Sequence, residues 1–376
     1  MSNKALIQAN TQFAYDIFQV LSQETSQINR FISPLSISMA LAVLYNGADG
    51  DTQRALAKTL QITGMSLNEV NQTYSSLRHE LDALDSQIQL TVANALWTRE
   101  GMTFDPNFLQ QCQQHYHAEV SPVDFHDPAT LTQINRWVSD QTKGKIPTIL
   151  DEIHPLTMLI LINAIYFKGS WSKAFNPEHT REQPFYLLDG NQKPCSMMFQ
   201  SGSFRYFSDN AVEAIALPYG DERVSMYIFL PADNTSLAAF VRTLNPINWT
   251  NWMRRFNVKE GSIVLPRFKL EYEADLNDVL ATLGMGIAFD AQKANFKRMG
   301  VFQENLFVSQ IKHKAFVEVN EEGTEAAAVT AGVMRLTSMM PGPAPFRMIV
   351  DRPFFCAIVD DQTGAILFMG AIVEPK

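Results

Sequence analysis

Cysteine is scarce in this chain: three residues, Cys112, Cys195 and Cys356, in 376. No two form a CxxC pair, which excludes a disulfide scaffold, a zinc ribbon and a thioredoxin-like centre as organising features. Long hydrophobic runs are also missing. The longest, Met158 to Phe167, is broken by Asn163, whereas a membrane-spanning helix needs ~20 apolar residues. The N-terminal stretch MSNKALIQANTQFAYDIF has neither the apolar core nor the small-residue cleavage site of a signal peptide. The expected location is therefore cytoplasmic, or extracellular if a leader has been removed. N-x-[ST] triplets at Asn71, Asn234 and Asn248 then read as chance matches, because glycosylation needs the secretory route. Positive charge is in deficit: 30 Lys and Arg against 39 Asp and Glu, a net −9. With no Lys/Arg block, neither nucleic acid nor an anionic membrane is an expected partner.

Catalytic signatures are equally sparse. GxSxG, HExxH, GxxxxGK and GxGxxG do not occur. Gly284-Met285-Gly286 lacks the third glycine and follows a helical pattern, not a strand, so it is no dinucleotide fingerprint. His115 and His117 could supply two metal ligands, but no carboxylate cluster follows at ligand spacing, and helix-surface histidines are the better reading. Thr142-Lys143-Gly144-Lys145 reads as a helix stop rather than a phosphate loop. No metal, no cofactor and no enzymatic activity are expected.

What is present is globular: 46% hydrophobic and 18% charged residues. Helical periodicity dominates the first third. Phe13, Ile17 and Leu21 recur at spacing four, with Phe18 widening the stripe. Ser33-Pro34 starts the next helix, since serine can cap and proline loses nothing in the first turn; Ile37, Ala40, Leu41 and Leu44 form its buried face and Gly47 ends it. Leu67, Val70, Tyr74, Leu77, Leu81 and Leu84 make another stripe, and Leu131, Ile134, Trp137 and Val138 one more. Strands dominate later: Val224 to Leu230, Ser262 to Leu265, Phe307 to Val319, and a hairpin of Phe354 to Val359 with Ala365 to Val373; Ile88, Leu90 and Val92 alternate earlier. Met158 to Phe167 is apolar on both parities, the pattern of a central strand covered on both faces. Without repeats or linkers, the chain reads as one α+β domain over 1–376.

Two features stand out. Asn163 lies in the middle of that doubly buried strand and must be hydrogen-bonded. It is either a satisfied core amide or a polar latch on a strand that moves. Glu321 to Gly332 holds nothing larger than valine after Glu325, and its even positions, Thr324, Ala326, Ala328, Thr330 and Gly332, are all small. It is either a flexible surface linker or a segment whose one face can enter a tight interior, because side chains alternate with period two.

These residues resemble the serpin family, over nearly the whole chain. Phe31-Ile-Ser-Pro-Leu-Ser-Ile37, Gly47-Ala-Asp-Gly-Asp-Thr52, Asn163-Ala-Ile-Tyr-Phe-Lys-Gly-Ser-Trp171, Leu217-Pro-Tyr219, Leu265-Pro-Arg-Phe268, His313-Lys-Ala315, Arg352-Pro-Phe354 and Phe368-Met-Gly370 fall in family order. The hinge-like Glu321-Glu-Gly-Thr-Glu-Ala-Ala-Ala328 is the most specific. The resemblance implies helices packed on three β-sheets, with an exposed reactive-centre loop at about 321–345. It implies a suicide substrate: a protease cleaves the loop and is trapped as its acyl-enzyme when the cut loop inserts into the central sheet. Serpin loop insertion is an established form of strand addition. It also implies a hinge of Glu321, Gly323, Thr324, Ala326, Ala327 and Ala328, a polar shutter of Ser33, Ser36, Asn163 and His313, and a breach at Lys168 and Trp171. The commonest register puts the cut about fourteen residues past Gly323, at Thr337-Ser338; Leu336-Thr337 and Arg335-Leu336 are the alternatives. Thr337 or Leu336 before the cut suits an elastase-, subtilisin- or chymotrypsin-like serine protease, Arg335 an acidic pocket; a cysteine protease is a further candidate. The implied protein is a monomer. The competing class is a non-inhibitory serpin with a chaperone, carrier or storage role.

Overall fold

The computed structural model describes residues 2–24, 27–324 and 344–376. The arrangement is α+β, with helices early and strands late. The first stripe lies on α1 (Ser2–Glu24), where Phe13, Ile17, Phe18 and Leu21 are buried. Ser33 caps α2 (Pro34–Gly47) by accepting the Ser36 N–H, with Pro34 in the first turn. Ser66 and Glu69 close a reciprocal capping box on α3 (Leu67–Asp82). The helix α4 (Ala129–Gln141) ends where Lys143 and Gly144 both turn left-handed, at φ 54° and 77°. His115 and His117, expected on a helix surface, instead close a π-helical turn (Cys112–Tyr116). His115 is half-buried, and burial with the neighbouring Arg78 pulls both imidazoles below the usual histidine range.

Three sheets carry the described strands. The central one has six: β1 (Ile88–Arg99), β2 (Glu119–Val123), β3 (Leu159–Ser170), β4 (Phe268–Asp275), β5 (Gln310–Val319) and the short β6 (Gly323–Thr324). Their order is β4-β5-β3-β1-β2, with β6 against β3. The strand read from Phe307 begins only at Gln310, because Val308 and Ser309 donate to the Ala288 and Leu159 carbonyls outside the ladder. A nine-stranded sheet runs from Arg30–Ile32 through the Phe354–Asp360 and Ala365–Ile372 hairpin to Phe346–Ile349, and Thr103–Phe104 pairs with Gly300–Val301.

The central sheet is covered on both faces, which explains the double-parity apolar run. Leu159, Leu161, Ile165 and Phe167 point into the main core shared with α1, α2 and the nine-stranded sheet. Ile160, Ile162, Ala164 and Tyr166 pack with Trp97, Ile134 and Val138 in a second core beneath α4. Ile88, Leu90 and Val92 lie on one strand as expected, yet Val92 is 36% exposed; β2 flanks β1 only along Ala95 to Arg99, leaving this half at the sheet edge. Among the described residues, no helix is long and apolar enough to cross a membrane.

Candidate functional site

The seam between β3 and β5 organises the site. These parallel neighbours pair from Ile160 with Gln310 to Tyr166 with Phe316. Beyond that point a different partner takes over. β5 ends at Val319, the chain turns at Asn320 to Glu322, and β6 comes back antiparallel along β3, with Gly323 opposite Ser170 and Thr324 opposite Gly169. The turn is closed by an exchange of backbone bonds, Asn320 N to Gly323 O at 2.8 Å and Gly323 N to Asn320 O at 3.3 Å. The chain entering the 325–343 stretch thus starts between the two strands, at the upper end of their seam.

Each residue of the turn is fastened. The Trp171 N–H donates to the Glu322 carbonyl at 2.9 Å and its indole Nε1–H to the Asn320 carbonyl at 3.0 Å. The indole stacks on Tyr219, 4.3 Å between centroids at 11°. Glu321 is buried, and its carboxylate accepts from Arg267 Nε at 2.7 Å and from the Thr180 hydroxyl. Burial pushes that carboxyl upward, but the Arg267 and Thr180 bonds outweigh it and hold it below the usual range. Gly323 is required by geometry: its φ is +140°, and a Cβ would overlap the Gly169 carbonyl oxygen and the Ser170 Cα. Lys168 is half-buried on β3, opposite Gln89 on β1.

Lower in the seam, the sheet carries a polar row. Asn94 on β1, Asn163 on β3 and His313 on β5 are successive register partners. The Asn163 amide donates to Asn94 Oδ1 and to Ser36 Oγ, both at 2.6 Å, while His313 Nδ1 sits 2.6 Å from Asn163 Oδ1. The Ser33 N–H donates to His313 Nε2 at 3.3 Å, so that nitrogen is the acceptor and the ring proton sits on Nδ1, donated to Asn163. The Ser33 hydroxyl accepts from the Ser36 N–H and donates to the Leu367 carbonyl at 2.6 Å. One cluster therefore joins the start of α2, three strands of the central sheet and the nine-stranded sheet. His313 is wholly buried with no acidic partner, and burial pulls its imidazole down to about 3, so it is neutral at physiological pH.

The structure thus brings Ser33, Ser36, Asn163 and His313 together, and puts Glu321, Gly323 and the backbone of Thr324 beside Trp171. Ala326, Ala327, Ala328, Arg335, Leu336, Thr337 and Ser338 lie outside the described residues. Sequence reasoning missed Asn94. The available signal was an amide within Ala93-Asn94-Ala95-Leu96-Trp97, a polar residue in an otherwise apolar strand. The three thiols are buried and free, and burial pushes those of Cys112 and Cys356 up to about 12, far from nucleophilic. Asn71 is buried and bonded to Asn46, Gln111 and Tyr116, so its triplet cannot accept a glycan in this fold.

Comparison with known proteins agrees with this arrangement. The family model described as serpin (serine protease inhibitor) matches residues 8–375. Human leukocyte elastase inhibitor is 38% identical over 382 residues, spanning 98% of this chain and 99% of that protein. Serpin B6 of Pongo abelii is 37% identical over 379 residues, again with 98% and 99% coverage. Among solved structures, tengpin, a thermophilic serpin in its native state, has a TM-score of 0.90 at 30% identity, covering 98% of this chain and 94% of that one.

Proposed function

The chain belongs to the serpin family of serine protease inhibitors and is not an enzyme, and we propose that it inhibits through the seam just described, as one domain over 1–376 acting as a monomer. A target protease attacks the segment at about 321–345 and forms its acyl-enzyme. The freed segment continues the path begun by β6 and separates β3 from β5. The observation that carries this reading is the antiparallel pairing of Gly323 and Thr324 with β3 at the point where the β3–β5 ladder has ended.

Within it, Glu321, Gly323, Thr324, Ala326, Ala327 and Ala328 act as the hinge. Lys168 and Trp171 flank the opening, and Ser33, Ser36, Asn163 and His313 hold the seam shut below it. The register with β3 supports the role of the small residues. Side chains alternate along a strand with period two, and the even positions Thr324, Ala326 and Ala328 are all small. This alanine run with no proline argues against the chaperone, carrier or storage alternative.

The reactive bond is Thr337-Ser338, with Leu336-Thr337 and Arg335-Leu336 as the alternatives, and the target an elastase-, subtilisin- or chymotrypsin-like serine protease or a cysteine protease. The leukocyte elastase inhibitors among the relatives favour the elastase type. Free buried thiols fit action in a reducing compartment such as the cytoplasm. Incubation with a protease panel tests the proposal. It should give a denaturant-stable 1:1 complex and a released peptide beginning at Ser338. A peptide beginning at Leu336 would move the target to trypsin-like enzymes, and no covalent band with any serine or cysteine protease would refute inhibition.

A further inference from the structure

We propose that a cavity of about 620 Å³, between the C-terminal end of α1, the short helix Leu237–Val241 and the strand Ala365–Ile372, binds an amphipathic small molecule with an apolar body and one anionic head. The proposal is independent of loop insertion and of protease trapping.

The walls follow from helical spacing. Gln19 and Gln23 stand four residues apart on α1, and Leu237 and Val241 four apart on the short helix, so each pair shares one face of its helix. Both faces line the cavity. The floor is apolar: Leu237, Val241, Ala371 and Val373 line it, and none is more than 5% exposed. Part of the rim is apolar as well. Leu188 lines the cavity from the turn between the strands Arg181–Tyr186 and Gln192–Ser208 and is 48% exposed. Ile28, next to the lining residue Gln27, is 53% exposed. Exposed aliphatic side chains above a buried apolar floor are the surface that a ligand covers. The volume falls within the ~300–1,000 Å³ of small-molecule sites.

Charge selects the ligand. Among the described residues, the charged side chains that line the cavity are two guanidinium groups, Arg30 and Arg242, and no carboxylate joins them. In a chain with 39 acidic against 30 basic residues, this is a local reversal of sign. Arg30 reaches the cavity from within: it is 3% exposed and lies opposite Ala371 on the neighbouring strand. Arg242 stands exposed at the C-terminal end of the short helix, and its side chain has no hydrogen-bond or ion-pair partner among the described residues. Glu374, which follows Val373, is committed elsewhere, with its carboxylate 2.8 Å from Lys193 Nζ. The Gln19 amide is fixed, because its Nε2 donates to the Leu244 carbonyl at 2.7 Å. Guanidinium groups over an apolar floor fit a ring system or acyl chain that ends in a carboxylate or sulfonate, since charge-assisted hydrogen bonds hold such a head. A cation would be repelled, and a neutral body would use the floor alone.

Two fluorescent probes separate floor from rim. Anilinonaphthalene sulfonate and phenylnaphthylamine share one ring body, and only the first carries an anion. Each is titrated into the intact protein, and thermal melting follows the stabilisation that binding confers. The expected result is one saturable site per chain, with the anionic probe bound more tightly, displaced by decanoate and raising the melting temperature. Arg242→Gln should weaken the anionic probe several-fold and leave the neutral one unchanged. Ala238→Trp, which fills the cavity from a half-buried lining position, should abolish both. No saturable binding to the parent would overturn the proposal. So would equal binding by the Ala238→Trp protein, which would put the probe elsewhere, or equal binding of the anionic probe by the Arg242→Gln protein. If Ala238→Trp lowers the melting temperature of the unliganded protein, the Arg242→Gln comparison of the two probes still decides, because that side chain is on the surface.

Discussion

Replacing Asn163 by alanine is the most direct perturbation of the seam. Its amide makes 2.6 Å contacts with three side chains, those of His313, Ser36 and Asn94. None of the four residues is more than 3% exposed, so bulk water does not replace what the substitution removes. The Ser36 hydroxyl can rotate to another acceptor. His313 Nδ1–H and Asn94 Oδ1 cannot, because their strands hold them toward the vacated space. A buried polar group left without a partner costs about 1–3 kcal/mol, so two of them cost about 2–5 kcal/mol after partial relaxation. At roughly 2 °C per kcal/mol for a chain of this size, the intact protein should melt about 4–10 °C lower. The same substitution removes the side-chain bond between Asn163 and His313 on β5, so heated samples should form oligomers sooner, as the loop of one molecule enters the seam of another. Calorimetry and size-exclusion chromatography after graded heating read both effects. An alanine variant with the parent's melting temperature and the parent's monomer content would refute the argument.

Other outcomes follow from the same geometry. His313 stays neutral when folded down to about pH 3, whereas in the unfolded chain it protonates near pH 6.5. The unfolded state therefore binds more protons between these values, and stability is lost as pH falls through that window, by at most about 1.4 kcal/mol per pH unit. A His313→Gln variant should show a flatter melting profile between pH 7 and pH 5; a slope equal to the parent's would assign the acid sensitivity elsewhere. Thr324→Arg should turn the inhibitor into a substrate, because the proposed insertion continues from Thr324, where the chain already pairs with Gly169, and would bury a charge there unpaired at several kcal/mol. Loop cleavage should continue while the stoichiometry of inhibition climbs, and an unchanged stoichiometry would place the start of insertion elsewhere. Cleavage with a non-target protease should raise the melting temperature. A dozen new backbone bonds at about 0.5–1.5 kcal/mol each exceed the net stability of an ordinary domain, whereas a nick in a surface loop of a protein at equilibrium adds only chain entropy. A nicked protein melting at or below the intact one would remove the metastability.

Much of the architecture was legible because it is local. The caps at Ser33 and Ser66, the stripes of α1 to α4 and the double-parity run at β3 depend on neighbours a few residues away. Glu321 to Gly332 stood out for the same reason, as a stretch whose even positions are all small. Less was legible where a partner lay far off in the chain. Val92 alternates correctly yet sits at an edge, since no local pattern records how far β2 extends. Asn94 was invisible as part of the polar row, since its partner is 69 positions away. The start of β5 at Gln310 was set by bonds from Val308 and Ser309 to distant carbonyls rather than by strand propensity.

By itself the sequence determined which segments could become helices and strands, which strand had to be covered on both faces, and which segment held only small residues on one parity. These are properties of periodicity and side-chain size, and they act over one or two turns of chain. Only the tertiary structure decided that β3 and β5 are parallel neighbours whose ladder ends where β6 pairs with β3, that Gly323 needs its positive φ to pass the Gly169 carbonyl, and that His313 carries its proton on Nδ1. Those are matters of register and of which buried group faces which, and they come into being when segments distant in the chain pack side by side.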